Sequence, residues 1–187
     1  MEDKYKHKIL TIPNLLSLFR LLLIPVLLWL YVVRQDYLWA AGVLVLSAAT
    51  DIVDGIIARK FHMVSDFGKA FDPVADKLTQ LAMLICLVTR FRWMLLPLIL
   101  LVVKESVSLV VGLLVIRRTG TVPAAVWHGK AATVSLYGMM LVHVLWFTIP
   151  AGVSGLLIGG CTAMMLLSGI LYALRYFHIL LPGKVDI

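Results

Sequence analysis

Residues Asp51 to Asp76 read DIVDGIIARKFHMVSDFGKAFDPVAD. This stretch holds five of the ten acidic residues in a chain of 187, and apolar runs flank it on both sides. A carboxylate in or beside a segment apolar enough to enter a bilayer is costly, and its default reading is functional. Asp51 and Asp54 are three apart, and Asp72 and Asp76 are four apart. On a helix each pair shares one face, separated by roughly 40–60° around the axis. Like charges this close repel unless a cation sits between them. Carboxylate oxygens are hard ligands, so Mg2+ or Mn2+ is the natural counter-charge. Asp66 falls outside this spacing and reads as a helix cap or a solvated charge.

The residues between the pairs fit the same picture. Gly55 and Ala58 are small and leave room beside the first pair for a bulky ligand or a neighbouring helix. Arg59 is a fixed cation suited to a phosphate oxygen. Gly68 falls in the expected connector, where a turn or close approach needs no side chain. Pro73 suits a first helical turn. The pairs are therefore expected to face each other across a bend, at the end of one helix and the start of the next.

The run Asp51-x2-Asp54-Gly55-x2-Ala58-Arg59-x8-Gly68-x3-Asp72-x3-Asp76 resembles the signature of the CDP-alcohol phosphatidyltransferase family at all eight positions. The resemblance implies an enzyme of phospholipid synthesis. It would transfer a phosphatidyl group from CDP-diacylglycerol to an alcohol acceptor and release CMP. It implies Asp51, Asp54 and Asp72 as ligands of one or two Mg2+ or Mn2+ ions. Asp76 would be the base for the acceptor hydroxyl and a further metal ligand. Gly55, Ala58 and Arg59 would line the CDP site with Gly68 nearby, and the enzyme would be a homodimer. The local chemistry agrees, because an acidic cluster binds an anionic diphosphate only through cations.

Composition sets the solvent. The chain is 61% hydrophobic and 14% charged, against about 45–50% and about 25% in soluble domains. Mean hydropathy is +0.99. These values imply an integral membrane protein of one domain. The first eight residues are polar, and the apolar run after them lacks a small-residue cleavage site, so no cleavable signal peptide is expected. Net charge is +7. The cations cluster at the ends of apolar runs, which points to anionic head groups and topology control and away from nucleic acid. Cys86 and Cys161 lie in apolar runs without ligand spacing and read as buried small apolar side chains.

The expected fold is all-α: six transmembrane helices plus a short N-terminal interfacial helix over residues 1–10. The domain would cover residues 11–187. The spans are expected at about 11–33, 37–59, 72–88, 94–116, 131–149 and 152–171 or beyond. Arg20 lies inside the first span, where it either snorkels to the interface or faces the site to meet a carboxylate or phosphate. His62 reads as an interfacial residue and Lys77 as a neutraliser of a nearby aspartate or a snorkelling side chain. The sixth span is rich in Gly, Ala, Ser and Met, and its small residues are expected to serve close helix packing. Cation placement puts both termini and the aspartate motif on the cytoplasmic side of a bacterial plasma membrane.

The acceptor is read from weaker signals. The run from Pro13 to Arg20 resembles the start of family members that make phosphatidylglycerophosphate or cardiolipin. Lys104-Glu105 and Gly129-Lys130-Ala131-Ala132-Thr133 resemble the branch that uses glycerol-3-phosphate, whereas Gly112 departs from it where an arginine is usual. Lys104, Arg117, Arg118 and Lys130 are the candidate cations for the acceptor phosphate. Adjacent helical residues point apart, so Lys104 and Glu105 are each expected to find a partner on another helix. Phosphatidylglycerol, the acceptor of cardiolipin synthesis, is the alternative, with serine and inositol phosphate less favoured. A non-enzymatic divalent-cation carrier is the alternative of another class.

Overall fold

The fold is built on a polar seam that changes to an apolar one partway along each of three helices. In this computed structural model, residues 11–60, 66–119 and 127–180 are described. They form α1 (Ile12–Leu28), a π-helical segment (Trp29–Arg34), α2 (Tyr37–Lys60), α3 (Asp66–Val88), a 3-10 turn (Arg92–Met94), α4 (Leu95–Thr119), α5 (Trp127–Leu145) and α6 (Ala151–Leu180). No strand occurs among the described residues. The expected interfacial segment at residues 1–10 and His62 lie outside them.

Four helical stretches are long and apolar enough to cross a membrane: Pro13–Arg34, Tyr37–Ile57, Arg92–Val115 and Ala151–Tyr176. The protein is an integral membrane protein. Six such spans are expected from the sequence; α3, of 23 residues, and α5, of 19, are long enough but too polar to join these four. Asp72, Asp76 and Lys77 interrupt the first half of α3, and His128 and Lys130 the first turn of α5.

The chain divides into two compact units. One contains residues up to Arg90 together with Met140–Phe147, and the other contains Phe91–Met139 and Thr148–Ile187. In the first, α1 packs along both α2 and α3, which touch each other only sparsely. The buried stripe of α1 is Asn14, Ser17 and Arg20 in its first half, then Leu27, with Tyr31 beyond it. In α2 it passes from Ala40, Ala41 and Leu44 to Ser47 and Asp54, and in α3 from Ala75, Thr79 and Gln80 to Met83, Leu84 and Leu87. Each stripe follows the three- and four-residue spacing of a helix face. The apolar halves supply the packing, and the polar halves hold the aspartates.

Local signals start and stop these helices. Thr11 is extended and caps α1, its Oγ1 accepting the Asn14 N–H at 3.4 Å, and Pro13 stands in the first turn, where no N–H is missed. Pro25 removes one donor from the ladder of α1. The π-helical segment ends at Gln35, whose left-handed φ of 55° is the only positive value outside glycine among the described residues. Beyond it, Arg90 clasps the end of the unit away from the aspartates. Its guanidinium donates to the Phe147 carbonyl and lies 3.0 Å from that ring's centre and 5.7 Å from the Tyr37 ring. Tyr37 in turn packs edge-on to Tyr31 at 5.3 Å.

In the second unit α6 packs on α4, and its buried stripe is Ser154, Ile158, Cys161, Met165 and Ser168, of which Ser168 meets His128 of α5. Four of its glycines lie off that stripe. A Cβ at Gly152, Gly155, Gly159 or Gly160 would meet nothing within 4 Å. Among the described residues the expected close packing is therefore made at Ser154, Cys161 and Ser168 and at Gly169, where a Cβ would stand 3.8 Å from Lys104 Cγ, and not at these four glycines. Cys86 and Cys161 are buried and free, as their apolar surroundings in sequence imply.

Candidate functional site

The four aspartates of the motif come from α2 and α3, and α1 reaches both. Arg20 is wholly buried. Its Nη1 stands 2.7 Å from Asp51 Oδ1, and its Nη2 donates to Asp54 Oδ2. One turn earlier on the same face, the Ser17 hydroxyl meets Asp72 Oδ1 and the Pro13 carbonyl, the latter at 3.0 Å. On α3 itself, Gln80 Nε2 donates to Asp76 Oδ2 at 2.8 Å, and Lys77 Nζ lies 3.6 Å from the same oxygen. Asp51 also lies within electrostatic reach of Asp72 and Asp76. One face of one helix thus addresses both acidic pairs.

This arrangement follows from local sequence. Ser17 and Arg20 are three apart, and Asp51 and Asp54 are three apart, so two helix faces meet residue against residue. Asp54 is 3% exposed and Arg20 fully buried. Removing the guanidinium would strand a buried carboxylate, at a cost of about 3–5 kcal/mol. Hydrogen bonding at Arg20 is nonetheless incomplete. Among the described residues Nε has no hydrogen-bond partner, and Nη1 meets Asp51 through the 2.7 Å ion pair alone. Ser47 Oγ, four residues before Asp51 on the same face of α2, is also buried and unpartnered.

Several expectations change at this point. Pro73 sits inside α3 rather than in its first turn, and Gly68 is helical rather than part of a connecting turn, because α3 begins at Asp66. The acidic pairs are bridged by α1 and do not simply face each other across a bend. The side chains of Ala58, Arg59 and Arg118 and the surroundings of Gly68 lie outside the described residues. Gly55 is half-buried beside Asp54, and Arg117 and Lys130 are exposed.

Lys104 and Glu105 also depart from expectation. They pair with each other at 2.9 Å. The lysine stem is long enough to double back, and it lies along α6, where a Cβ at Gly169 would stand 3.8 Å from Lys104 Cγ. Near them in the second unit, the buried His128 Nδ1 lies 3.3 Å from Ser168 Oγ, and its ring meets Tyr172 edge-on at 4.7 Å.

The sequence reading missed Ser17, Ser47 and Gln80. Each is a polar residue in an apolar run, at three- or four-residue spacing from a charged residue of the site, and that spacing was the available signal. As donors, the aspartate oxygens suit a hard divalent ion, and the neighbouring hydroxyl and amide oxygens do not alter that preference. Among the described residues no three His, Cys, Asp or Glu side chains converge as an ion would require. Arg20 and Ser17 engage the carboxylates instead.

Comparison with known proteins follows the same residues. The family model for CDP-alcohol phosphatidyltransferase matches residues 10–177. The chain belongs to the CDP-alcohol phosphatidyltransferase family. It is a phosphatidyltransferase, and an ion-carrier reading is set aside. A cardiolipin synthase (CMP-forming) of Streptomyces coelicolor is 36% identical over 182 residues, covering 90% of this chain and 83% of that protein. A CDP-diacylglycerol–glycerol-3-phosphate 3-phosphatidyltransferase of Yersinia pestis is 34% identical over 145 residues, covering 73% of this chain and 78% of its own length. A protein of the same name from Rickettsia typhi is 45% identical over 69 residues, covering 36% of this chain and 39% of that protein.

Proposed function

We propose that this phosphatidyltransferase takes CDP-diacylglycerol as donor and a glycerol hydroxyl as acceptor, at the site where α1 meets both acidic pairs. That meeting is the observation that carries the reading, because α1 touches Asp51 and Asp54 of the first pair and Asp72 of the second.

In this reading Asp51, Asp54, Asp72 and Asp76 would hold one or two Mg2+ or Mn2+ ions. When bound, the ions would neutralise the diphosphate and stabilise charge as its bond breaks. Gly55, Ala58 and Arg59 line the nucleotide end, with Gly68 near it. Asp76 accepts the proton of the acceptor hydroxyl. Gln80 and Lys77 both address its Oδ2, which sets the plane of the carboxylate. The hydroxyl oxygen bonds to the phosphorus bearing diacylglycerol, the bond from that phosphorus to the bridging oxygen breaks, and CMP leaves with that oxygen.

For the acceptor, glycerol-3-phosphate is the first reading, resting on Gly129-Lys130 and on the exposed cations Arg117 and Lys130, with Arg118 beside them in sequence. Phosphatidylglycerol is the second. It is favoured by the relative that covers nine-tenths of the chain, a cardiolipin synthase. It is favoured also by Lys104, whose charge is already met by Glu105. Packing does not force Gly112 to be glycine, since a Cβ there would meet nothing within 4 Å.

The rest of the proposal concerns setting. Residues 11–187 act as one membrane domain of a homodimer, preceded by an interfacial segment. The chain lies in a bacterial plasma membrane with both termini and the aspartates on the cytoplasmic side, as positive charge in its loops favours. The test is CMP release from CDP-diacylglycerol by purified protein with Mg2+ or Mn2+, across glycerol-3-phosphate, phosphatidylglycerol, serine and inositol phosphate. Turnover is expected with one of the first two and is expected to stop with EDTA. Full turnover after chelation would refute the metal reading.

A further inference from the structure

We propose that Arg20 is a placeholder for the divalent ion at the first acidic pair: its guanidinium holds Asp51 and Asp54 until the ion arrives, then gives them up. The inference rests on the reading of those aspartates as metal ligands.

Two observations carry it. Arg20 is fully buried with its charged end against both Asp51 and Asp54, the carboxylates that the proposed function assigns to the ion. A guanidinium and a divalent ion cannot both face the same carboxylate oxygens without strong repulsion. Arg20 is also held mainly by charge. Among the described residues its Nε and Nη1 have no hydrogen-bond partner, whereas a permanent structural arginine would use its fork more fully. Buried donors left unmade are costly, so the observed pose is one that another partner can displace.

The seam offers a second resting place. Ser47 Oγ is buried and unpartnered, and it stands one and two helical turns before Asp51 and Asp54 on the face of α2 that packs toward α1. A guanidinium leaving the aspartates could be met by that hydroxyl as acceptor. Ser17, which holds Asp72 from the same face of α1, keeps the helix in register during the exchange.

The test uses the full-length protein in detergent, titrated with Mn2+ alone, with calorimetric affinity and the Mn2+-induced rise in melting temperature as readouts. Wild type is expected to bind, and Asp51→Asn to lose most of that binding. Arg20→Gln removes the competitor, so it should bind Mn2+ more tightly, by roughly 5–150-fold as expected for one coupled site, and show a larger melting shift. Arg20→Lys keeps the charge but cannot span two carboxylates, so its affinity should fall between the two. If Arg20→Gln does not fold, Arg20→Lys decides: tighter binding supports the placeholder. Affinity that is unchanged or weaker in the folded variant overturns it. A wild type that binds no Mn2+, or an Asp51→Asn variant that binds it undiminished, overturns the metal reading and the placeholder with it.

Discussion

Charge in an apolar setting decides what single residues can do here. Asp54 is almost fully buried and is kept in place by Arg20, while Asp72 is held by Ser17 and Asp76 by Gln80. Asp51 and Asp54 share Arg20, whereas Asp72 and Asp76 are each met by a different residue, so the four are not interchangeable. Asp76 is met by two residues of its own helix, Gln80 and Lys77. Its proposed role as base gives a direct prediction. Asp76→Asn is nearly isosteric but cannot take a proton, so CMP release should fall by at least about 10²-fold. The variant should still accumulate in the membrane, since Asn can accept the Gln80 bond. Wild-type turnover by this variant would remove Asp76 from the base role.

At the level of elements, α1 is the helix on which the first unit depends. It lies along α2 and α3, which barely meet, so the two halves of the motif are brought together by a helix that contains none of it. In the second unit the comparable close approach is between α5 and α6. At Gly129 a Cβ would stand 2.6 Å from Tyr172 Oη and 3.0 Å from its ring. The ring is confined by His128 and by Tyr176, whose centroid is 6.0 Å away. Gly129→Ala should therefore destabilise the protein by about 1–3 kcal/mol, the usual cost of overpacking. Thermal unfolding in detergent measures this. Tyr172→Phe removes the nearest atom and should recover part of the loss in the double variant, a coupling that independent sites would not show.

For the whole molecule the testable property is orientation in the membrane. Gln35 and Lys60 lie at opposite ends of α2 and are both exposed. Cys86 and Cys161 are each 2% exposed, so native thiols should contribute little background to labelling. In intact cells a membrane-impermeant maleimide should label Gln35→Cys and spare Lys60→Cys, with the reverse in inside-out vesicles. Labelling in the opposite sense would invert the proposed orientation and place the aspartates outside. The four apolar stretches long enough to span make the membrane itself secure, and the labelling pattern reports which side the motif faces.

By itself the sequence determined the solvent, the helical class and the family. A chain with so few charges has to bury its backbone polar groups in helices when it enters lipid. Eight motif positions at fixed spacing identify the chemistry because short-range helical geometry places them on shared faces. Pairing between helices was not legible. Ser17, Ser47 and Gln80 are ordinary polar residues until α1, α2 and α3 are packed, and Arg20 was readable either as snorkelling or as site-facing. Only tertiary structure decided for the site, because a buried guanidinium needs carboxylates that are 31 and 34 residues away. It also decided that Lys104 bends back to Glu105 and that Gly152, Gly155, Gly159 and Gly160 of α6 stay off its packed stripe. Those outcomes depend on which neighbour competes for each side chain, and local spacing does not encode that competition.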